Sequence, residues 1–181
     1  NFSLRGEESD GDEMLVREWA AANGVRCFVK IFDTEGYAKD NGVSIEMAAR
    51  DLRYAWFTEL CAEHGYDVLS VAHNANDNAE TLMLNLLRGT GLNGLHCMAQ
   101  ITPMGVQYTV FRPLLEYTRK QIEGYVLAHR VPYRHDSSNF ESDYKRNKIR
   151  NEVFPVFEKI NPSFVRTLNR EIGYFAEAGS I

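Results

Sequence analysis

The sequence predicts an α/β protein with an open parallel sheet, helices on both faces and a C-terminal helical extension. Strand-like and helical segments alternate over residues 1–112, which is the pattern of a doubly wound sheet. Val68–Ala72 is a short continuous apolar run, as expected for a strand inside a parallel sheet. Beyond Pro132 the pattern is helical. We therefore expect an α/β domain over residues 1–130, with residues 131–181 as a helical extension of the same domain.

Capping residues and hydrophobic spacing define the elements of the first half. Ser9 is predicted to cap a helix that ends near Gly24. Arg26–Phe32 is rich in β-forming residues and is predicted to be a strand, followed by a polar loop. Ser44 is predicted to cap a long helix over Ile45–His64, whose apolar side chains recur at helical spacing.

The same signals predict the elements of the second half. A capping-box pattern, for example, joins Thr118 to Gln121 three residues later. The predicted segments are a strand at Val68–Ala72, a helix from about Asn78 through Leu87, a strand at Tyr108–Phe111, a helix from Thr118 to about Arg130, and helices near Tyr144–Asn151 and Ser163–Ala178.

Composition excludes several classes of protein. The chain has 181 residues, 44% of them hydrophobic, and its apolar runs are too short to cross a bilayer. Cys27, Cys61 and Cys97 are odd in number and widely spaced, which favours reduced thiols over a disulfide framework or a metal cluster. We therefore expect a cytoplasmic protein with no membrane contact and no dedicated metal site.

The charge is unevenly distributed along the chain. The net charge is −5, but acidic residues predominate over residues 1–111 and basic residues over residues 112–170. Four cations, Lys145, Arg146, Lys148 and Arg150, follow Tyr144 closely. Such a segment can neutralise RNA phosphates and offers a ring for stacking, although a solvated helix face is the alternative.

The segment Ala72–Thr81 is the strongest candidate for chemistry because it follows a predicted strand at its carboxyl end. Asp77 and Glu80 are three residues apart, so a helix here places both carboxylates on one face, and His73 precedes them. This set could bind an amine, hold Mg²⁺ or move protons. The alternative is a helix cap whose acids complement the helix dipole.

Arg53 is a second candidate on the predicted long helix. Arg50 lies three residues earlier and could share its face, which would provide a pair of guanidinium groups for a carboxylate or phosphate. Ion pairing at the surface is the alternative.

In this order and spacing, seven segments resemble the tRNA(Ile)-lysidine synthase family of the PP-loop ATP pyrophosphatase superfamily. Two departures are evident. The ATP-binding loop of the family, Ser-Gly-Gly-x-Asp-Ser, is not in this sequence, and we expect it in a segment before Asn1. The family's His-His-x-Asp-Asp has Asn74 and Asn76 at its second and fourth positions here. The matching segments are Leu4–Asp10, Ala48–Tyr54, His73–Thr81, Asn85–Gly91, Arg112–Leu115, Asp136–Asn139 and Arg146–Arg150.

The resemblance implies an adenine nucleotide alpha hydrolase-like, Rossmann-like fold and a carbon–nitrogen ligase that uses ATP and Mg²⁺. The expected reaction is adenylation of the wobble cytidine in the CAU-anticodon tRNA(Ile), followed by attack of L-lysine to form lysidine. Adenylation makes physical sense, because a carbonyl oxygen is otherwise a very poor leaving group.

The resemblance also implies roles for individual residues. His73, Asp77 and Glu80 are expected to be catalytic. Our own hypothesis is that one carboxylate also helps to deprotonate the attacking amine. Arg53, with the same two acids, is expected to bind lysine or nucleotide. Contacts to tRNA are expected from Lys145, Arg146, Lys148 and Arg150, and a homodimer is the expected assembly.

Three alternatives remain open at this point. A tRNA thiolation enzyme of the same superfamily is disfavoured by the three isolated cysteines. A non-catalytic tRNA-binding fragment would use only the basic segment. A generic α/β scaffold would leave Arg53, Asp77 and Glu80 far apart.

Overall fold

The computed structural model describes residues 1–2, 4, 6–105, 107–134 and 144–179. It is a mixed α/β structure that contains a parallel strand pair, which confirms the predicted class. The residues form two compact units, Asn1–Phe57 with Arg130–Ser142, and Thr58–His129 with Asp143–Ile181. The expected division at residue 130 stays a prediction. The predicted Asp136–Asn139 motif lies outside the described residues.

The first unit begins with helix α1, Glu7–Ala22. The predicted cap at Ser9 is wrong, since Gly6 precedes the helix with a φ of 49° and Ser9 lies within the first turns. Glu7 and Glu8 explain the earlier start, because acidic side chains in the first turn complement the helix dipole. The predicted end is confirmed by Gly24, which adopts a φ of 64° just after the helix.

The strand predicted at Arg26–Phe32 is wrong, because the described residues there are assigned no strand. The Phe32 N–H donates to the carbonyl of Asn1 at 2.9 Å, and Phe32 stacks on Phe2 with ring centroids 5.4 Å apart. β-forming residues favour an extended backbone, but a strand also needs a continuous partner ladder.

A helix replaces the polar loop expected after this segment. Helix α2, Thr34–Asn41, begins where the Asp33 side chain accepts the Gly36 N–H at 2.9 Å. The long helix α3, Ile45–His64, confirms its prediction, and Ser44 Oγ accepts the Met47 N–H at 3.2 Å as its cap.

The sheet of the second unit has three strands among the described residues: β1 Val68–Ser70, β2 Ile101–Met104 and β3 Tyr108–Phe111, in the order β1-β3-β2. β1 and β3 are parallel, whereas β2 pairs with β3 antiparallel. The sequence prediction missed β2, whose Pro103 is typical of an edge strand. β1 is also less buried than expected, with Val68 55% exposed.

The helices of the second unit confirm the predicted capping box and the helix predicted at Ser163–Ala178, whereas the helix predicted near Tyr144–Asn151 is α-helical only to Lys148. Gln121 N–H donates to Thr118 Oγ1 at 3.3 Å, and Thr118 N–H donates to Gln121 Oε1 at 2.9 Å. The elements are α4 Ala75–Arg88, α5 Leu92–Leu95, α6 Arg119–Ala128, α7 Tyr144–Lys148, a π-helical turn Ile149–Val153, α8 Phe154–Ile160 and α9 Phe164–Ala178.

The core of this unit lies between α4, the π-helical turn, α8 and α9. Ala75 and Ala79 of α4 are nearly inaccessible, which lets the neighbouring elements approach closely. Phe154 and Phe164 meet edge to face with ring centroids 4.9 Å apart. None of the helices in the described part of the chain combines the length and apolar composition needed to cross a bilayer.

Two leucines of α4 give a matched test of this packing. Leu82 is 2% exposed and Leu87 is 73% exposed. Leu82→Ala should lower the free energy of unfolding by about 2–5 kcal/mol because it leaves a cavity. Leu87→Ala should change it by no more than about 0.5 kcal/mol. Urea denaturation of the two variants measures the difference, and equal losses would contradict the described orientation of α4.

Candidate functional site

The start of α4 is fixed by a reciprocal cap. The Asn74 side chain accepts the N–H groups of Asn76 at 2.9 Å and Asp77 at 3.2 Å. In return, Asp77 Oδ2 accepts the Asn74 N–H at 2.9 Å. Asp77 therefore caps the helix, as the alternative interpretation held, while its Oδ1 faces away from the cap toward two arginines.

Glu80 lies one turn further along the helix and is completely buried. Its Oε1 accepts Arg150 Nε at 2.7 Å, and its Oε2 accepts Arg150 Nη2 at 2.8 Å. This bidentate geometry is the strongest form of an arginine–carboxylate pair. Burial of a carboxylate is costly unless it is paired, so Arg150 is what allows Glu80 to occupy this position.

Two further arginines surround the acidic pair. Arg119 Nη2 lies 4.0 Å from Asp77 Oδ1, and Arg150 Nη2 lies 3.7 Å from the same oxygen. Arg146 Nε is 3.9 Å from Glu80 Oε2. The two carboxylates thus face three guanidinium groups. The predicted placement of Asp77 and Glu80 on one helix face agrees with this geometry, whereas their roles toward a ligand stay predictions.

The predicted RNA-binding segment has two faces. Lys145 and Lys148 are exposed. Arg146 and Arg150 are only about a third exposed and point toward α4, where Arg146 also reaches Thr81 Oγ1 at 3.4 Å. Their spacing of four residues explains this, because side chains at i and i+4 share a helix face.

Asn76 is a functional candidate that the sequence interpretation set aside. Its Oδ1 accepts the Arg119 N–H at 2.9 Å, and the neighbouring Ala75 N–H donates to the Tyr117 carbonyl at 2.9 Å. These bonds join the start of α6 to the start of α4. The sequence offered one signal for this role. Asn76 occupies a position where the family has an aspartate, and an amide oxygen can accept a hydrogen bond as a carboxylate oxygen does.

A cleft of about 740 Å³ opens beside the Glu80–Arg150 pair. Its walls come from the starts of α4, α6 and α9, together with α8. Cations and acids both line it, so it suits a ligand that carries polar or charged groups. The charged residues that line it are Glu80, Arg119, Lys120, Glu123, Arg150, Glu158 and Arg166.

The other predicted site residues, His73 and Arg53, both precede α4 in the sequence. His73 is half-buried immediately before the cap of α4. Arg53 belongs to the first unit, where its guanidinium lies 4.9 Å from the Phe2 ring centroid, and Arg50 similarly covers Tyr54 at 4.9 Å. A pocket shared by Arg53, Asp77 and Glu80 therefore stays a prediction.

The described side chains do not fit a metal centre at this position. Asp77 and Glu80 are engaged by arginines, so they do not form the free oxygen cluster that Mg²⁺ requires. Among the described residues, no group of three or more His, Cys, Asp or Glu side chains is placed to hold a metal ion.

The cysteines give no support to thiol chemistry. Cys27, Cys61 and Cys97 are unpaired thiols. Burial raises the pKa of the Cys97 thiol to about 11, so this thiol is protonated near neutral pH and is a poor nucleophile or metal ligand.

The fold and the site define a mixed α/β domain with a charged cleft beside a helix start, and comparison with known families specifies it further. Residues 1–157 match the family described as the PP-loop domain, and the chain belongs to that family. The chain is 44% identical over 170 residues to a tRNA(Ile)-lysidine synthase of Porphyromonas gingivalis, covering 94% of this chain and 37% of the relative. It is 40% identical over 181 residues to the protein of that name in Bacteroides thetaiotaomicron, covering 100% of this chain and 41% of the relative. The chain thus spans about two fifths of the length of these relatives.

A solved structure shares the fold at low sequence identity. It is described as the U34-tRNA thiolase NcsA from Methanococcus maripaludis with its [4Fe-4S] cluster. The superposition has a TM-score of 0.78 at 15% identity, covering 98% of this chain and 60% of that chain. At this identity the similarity supports the fold alone.

Arg150 and Arg119 both face Asp77, but only Arg150 forms the buried pair with Glu80. Removal of these two side chains should therefore change the free energy of unfolding unequally. Arg150→Ala should lower the free energy of unfolding by about 3–5 kcal/mol, because it leaves the Glu80 carboxylate buried without its partner. Arg119→Ala should cost no more than about 1 kcal/mol, because that side chain is 41% exposed and lies 4.0 Å from Asp77. Chemical denaturation measures both, and a small effect of Arg150→Ala would contradict the described pair.

Proposed function

We propose that this protein makes lysidine in tRNA. The observation that carries the proposal is the identity of about 40% to tRNA(Ile)-lysidine synthases over nearly all of the chain, including the segment that builds the Asp77–Glu80–Arg150 cluster. The substrates in this proposal are ATP, L-lysine and the tRNA(Ile) with a CAU anticodon. The cytoplasmic location and the homodimer predicted from the sequence are kept as parts of the same proposal.

The proposed reaction has two steps. The C2 carbonyl oxygen of the wobble cytidine attacks the α-phosphorus of ATP, which forms an adenylated base and releases pyrophosphate. The lysine amine then attacks C2, and the C–O bond breaks with AMP as the leaving group. The protein's main task in the second step is to hold an uncharged amine next to the activated carbon.

Asp77 is the acid best placed to contact the lysine amine in this proposal. Its Oδ2 is used by the helix cap, but among the described residues Oδ1 makes only long contacts, of 3.7 Å and 4.0 Å, to guanidinium nitrogens. Glu80 instead uses both oxygens on Arg150. Arg53 and His73 keep their predicted places in the lysine and nucleotide pocket.

The thiolation alternative rests on the shared fold with a thiolase. It requires reactive thiols, whereas burial holds the Cys97 thiol in its protonated form. The alternative of a non-catalytic tRNA-binding fragment predicts binding without product. A single assay separates all three functions.

The assay incubates the full-length protein with ATP, labelled lysine, labelled sulfide as a sulfur source and CAU-anticodon tRNA. Label should enter the tRNA, and a tRNA with guanosine at the wobble position should stay unlabelled. Sulfur incorporation without lysine incorporation would support thiolation, and tRNA binding without either product would support the fragment.

Alanine variants of the two acids test the site. Asp77→Ala and Glu80→Ala should each lower lysine transfer by about 100-fold or more, the range expected when a proton-transfer or positioning group is lost. The exposed Glu152→Gln is the matched control and should keep normal transfer. Circular dichroism establishes that each variant is folded, and near-normal transfer in both alanine variants would contradict the assignment of this site.

A further inference from the structure

The basic segment after Tyr144 performs two tasks with two sets of side chains. Lys145 and Lys148 are exposed, whereas Arg146 and Arg150 contact α4. We propose that Arg150, assisted by Arg146, is a positioning residue for Glu80 and Asp77, and that the RNA contacts of this segment come from Lys145 and Lys148. This inference rests on the proposed function and revises the sequence expectation that all four cations bind tRNA.

The hydrogen bonds of Arg150 carry the first step of the argument. Its Nε and Nη2 donate to the two oxygens of Glu80 at 2.7 Å and 2.8 Å, so one complete edge of the guanidinium is committed. A phosphate that bound this edge of the Arg150 guanidinium would deprive the Glu80 carboxylate of these two hydrogen bonds, although the Glu80 side chain is only 1% exposed. RNA phosphates therefore gain little from Arg150 compared with an exposed lysine.

The contact to Asp77 gives this arginine a function beyond packing. Arg150 Nη2 lies 2.8 Å from Glu80 Oε2 and 3.7 Å from Asp77 Oδ1, so one guanidinium spans both predicted site acids. Lysine at this position could neutralise one carboxylate but could not reproduce the planar fork. Arg150 thus sets the position of Glu80 and the electrostatic surroundings of Asp77.

The π-helical turn connects the two faces. Ile149 is 4% exposed and packs in the core with Ala75, Ala79 and Phe154. α7 ends at Lys148 and the π-helical turn starts at Ile149, so the exposed lysines and the buried pair are separated by one anchored residue. Single π-helical turns occur frequently at functional sites. The lysines that contact RNA and the arginine that positions the acids are thus held on either side of the same anchored residue.

The test separates RNA affinity from turnover in the full-length protein. The probes are a CAU-anticodon tRNA transcript for binding and labelled lysine transfer for turnover. Lys145→Ala/Lys148→Ala should weaken RNA binding about 10-fold, reduce the salt slope of log K by about 2, and appear as a higher KM for tRNA. The exposed Lys159→Ala is the matched control and should change neither quantity.

Arg150→Lys should show the reverse of the Lys145→Ala/Lys148→Ala result, with turnover lowered and RNA affinity kept. It should keep the RNA dissociation constant and the salt slope within about 2-fold of the original, yet lower kcat by about 100-fold, because the acids lose their alignment. A loss of RNA affinity comparable to that of the lysine variants would overturn the inference, and so would an unchanged kcat.

A double-mutant cycle keeps the result independent of stability. Glu80→Gln should lower kcat less in the Arg150→Lys background than in the original protein, since the two residues act as one pair. Additive effects on kcat would overturn the positioning role. If the original protein binds the transcript but transfers no lysine, the proposed function fails, and the RNA-affinity comparison of Arg150→Lys with Lys145→Ala/Lys148→Ala still decides which cations contact RNA.

Discussion

The bidentate pair between Glu80 and Arg150 is the interaction on which the second unit's site depends. A carboxylate with 1% side-chain exposure needs a charged partner, and its partner Arg150 lies 70 residues away in the sequence. This requirement brings the π-helical turn against α4. The same turn then places Ile149 in the core and the two lysines of α7 at the surface.

Asparagine side chains at the start of α4 add hydrogen bonds to the contact made by the Glu80–Arg150 ion pair. Asn74 caps α4, and Asn76 holds the first N–H of α6. Asn78 is 4% exposed, donates to Asn169 Oδ1 at 3.0 Å and accepts the Met98 N–H at 3.0 Å. Asn76 and Asn78 thus join the start of α4 to α6, to α9 and to the backbone of Met98. Buried amides need such partners, so hydrogen bonds as well as apolar packing fix these neighbours relative to α4.

Local signals in the sequence predicted the elements whose limits depend on local chemistry. Ser44, and Thr118 with Gln121, cap their helices as predicted, because a cap involves residues only three positions apart. The strand at Arg26–Phe32 failed because pairing is a property of two segments, and β2 was missed for the same reason. The partner of Glu80 could not be predicted either. Its sequence separation leaves no local pattern, and a basic segment resembles an RNA-binding surface whichever way its arginines point.

The balance of charge at the site bears on how an amine could react there. Three guanidinium groups surround two carboxylates, and one of those carboxylates is fully committed to Arg150. In the proposed reaction a lysine ammonium entering this field is destabilised by the surplus positive charge, which lowers the pKa of the incoming amine. Asp77 can orient that amine through Oδ1 without restoring full compensation. In this proposal the same surplus favours the departing AMP, so one arrangement of arginines promotes the uncharged nucleophile and stabilises the anionic leaving group.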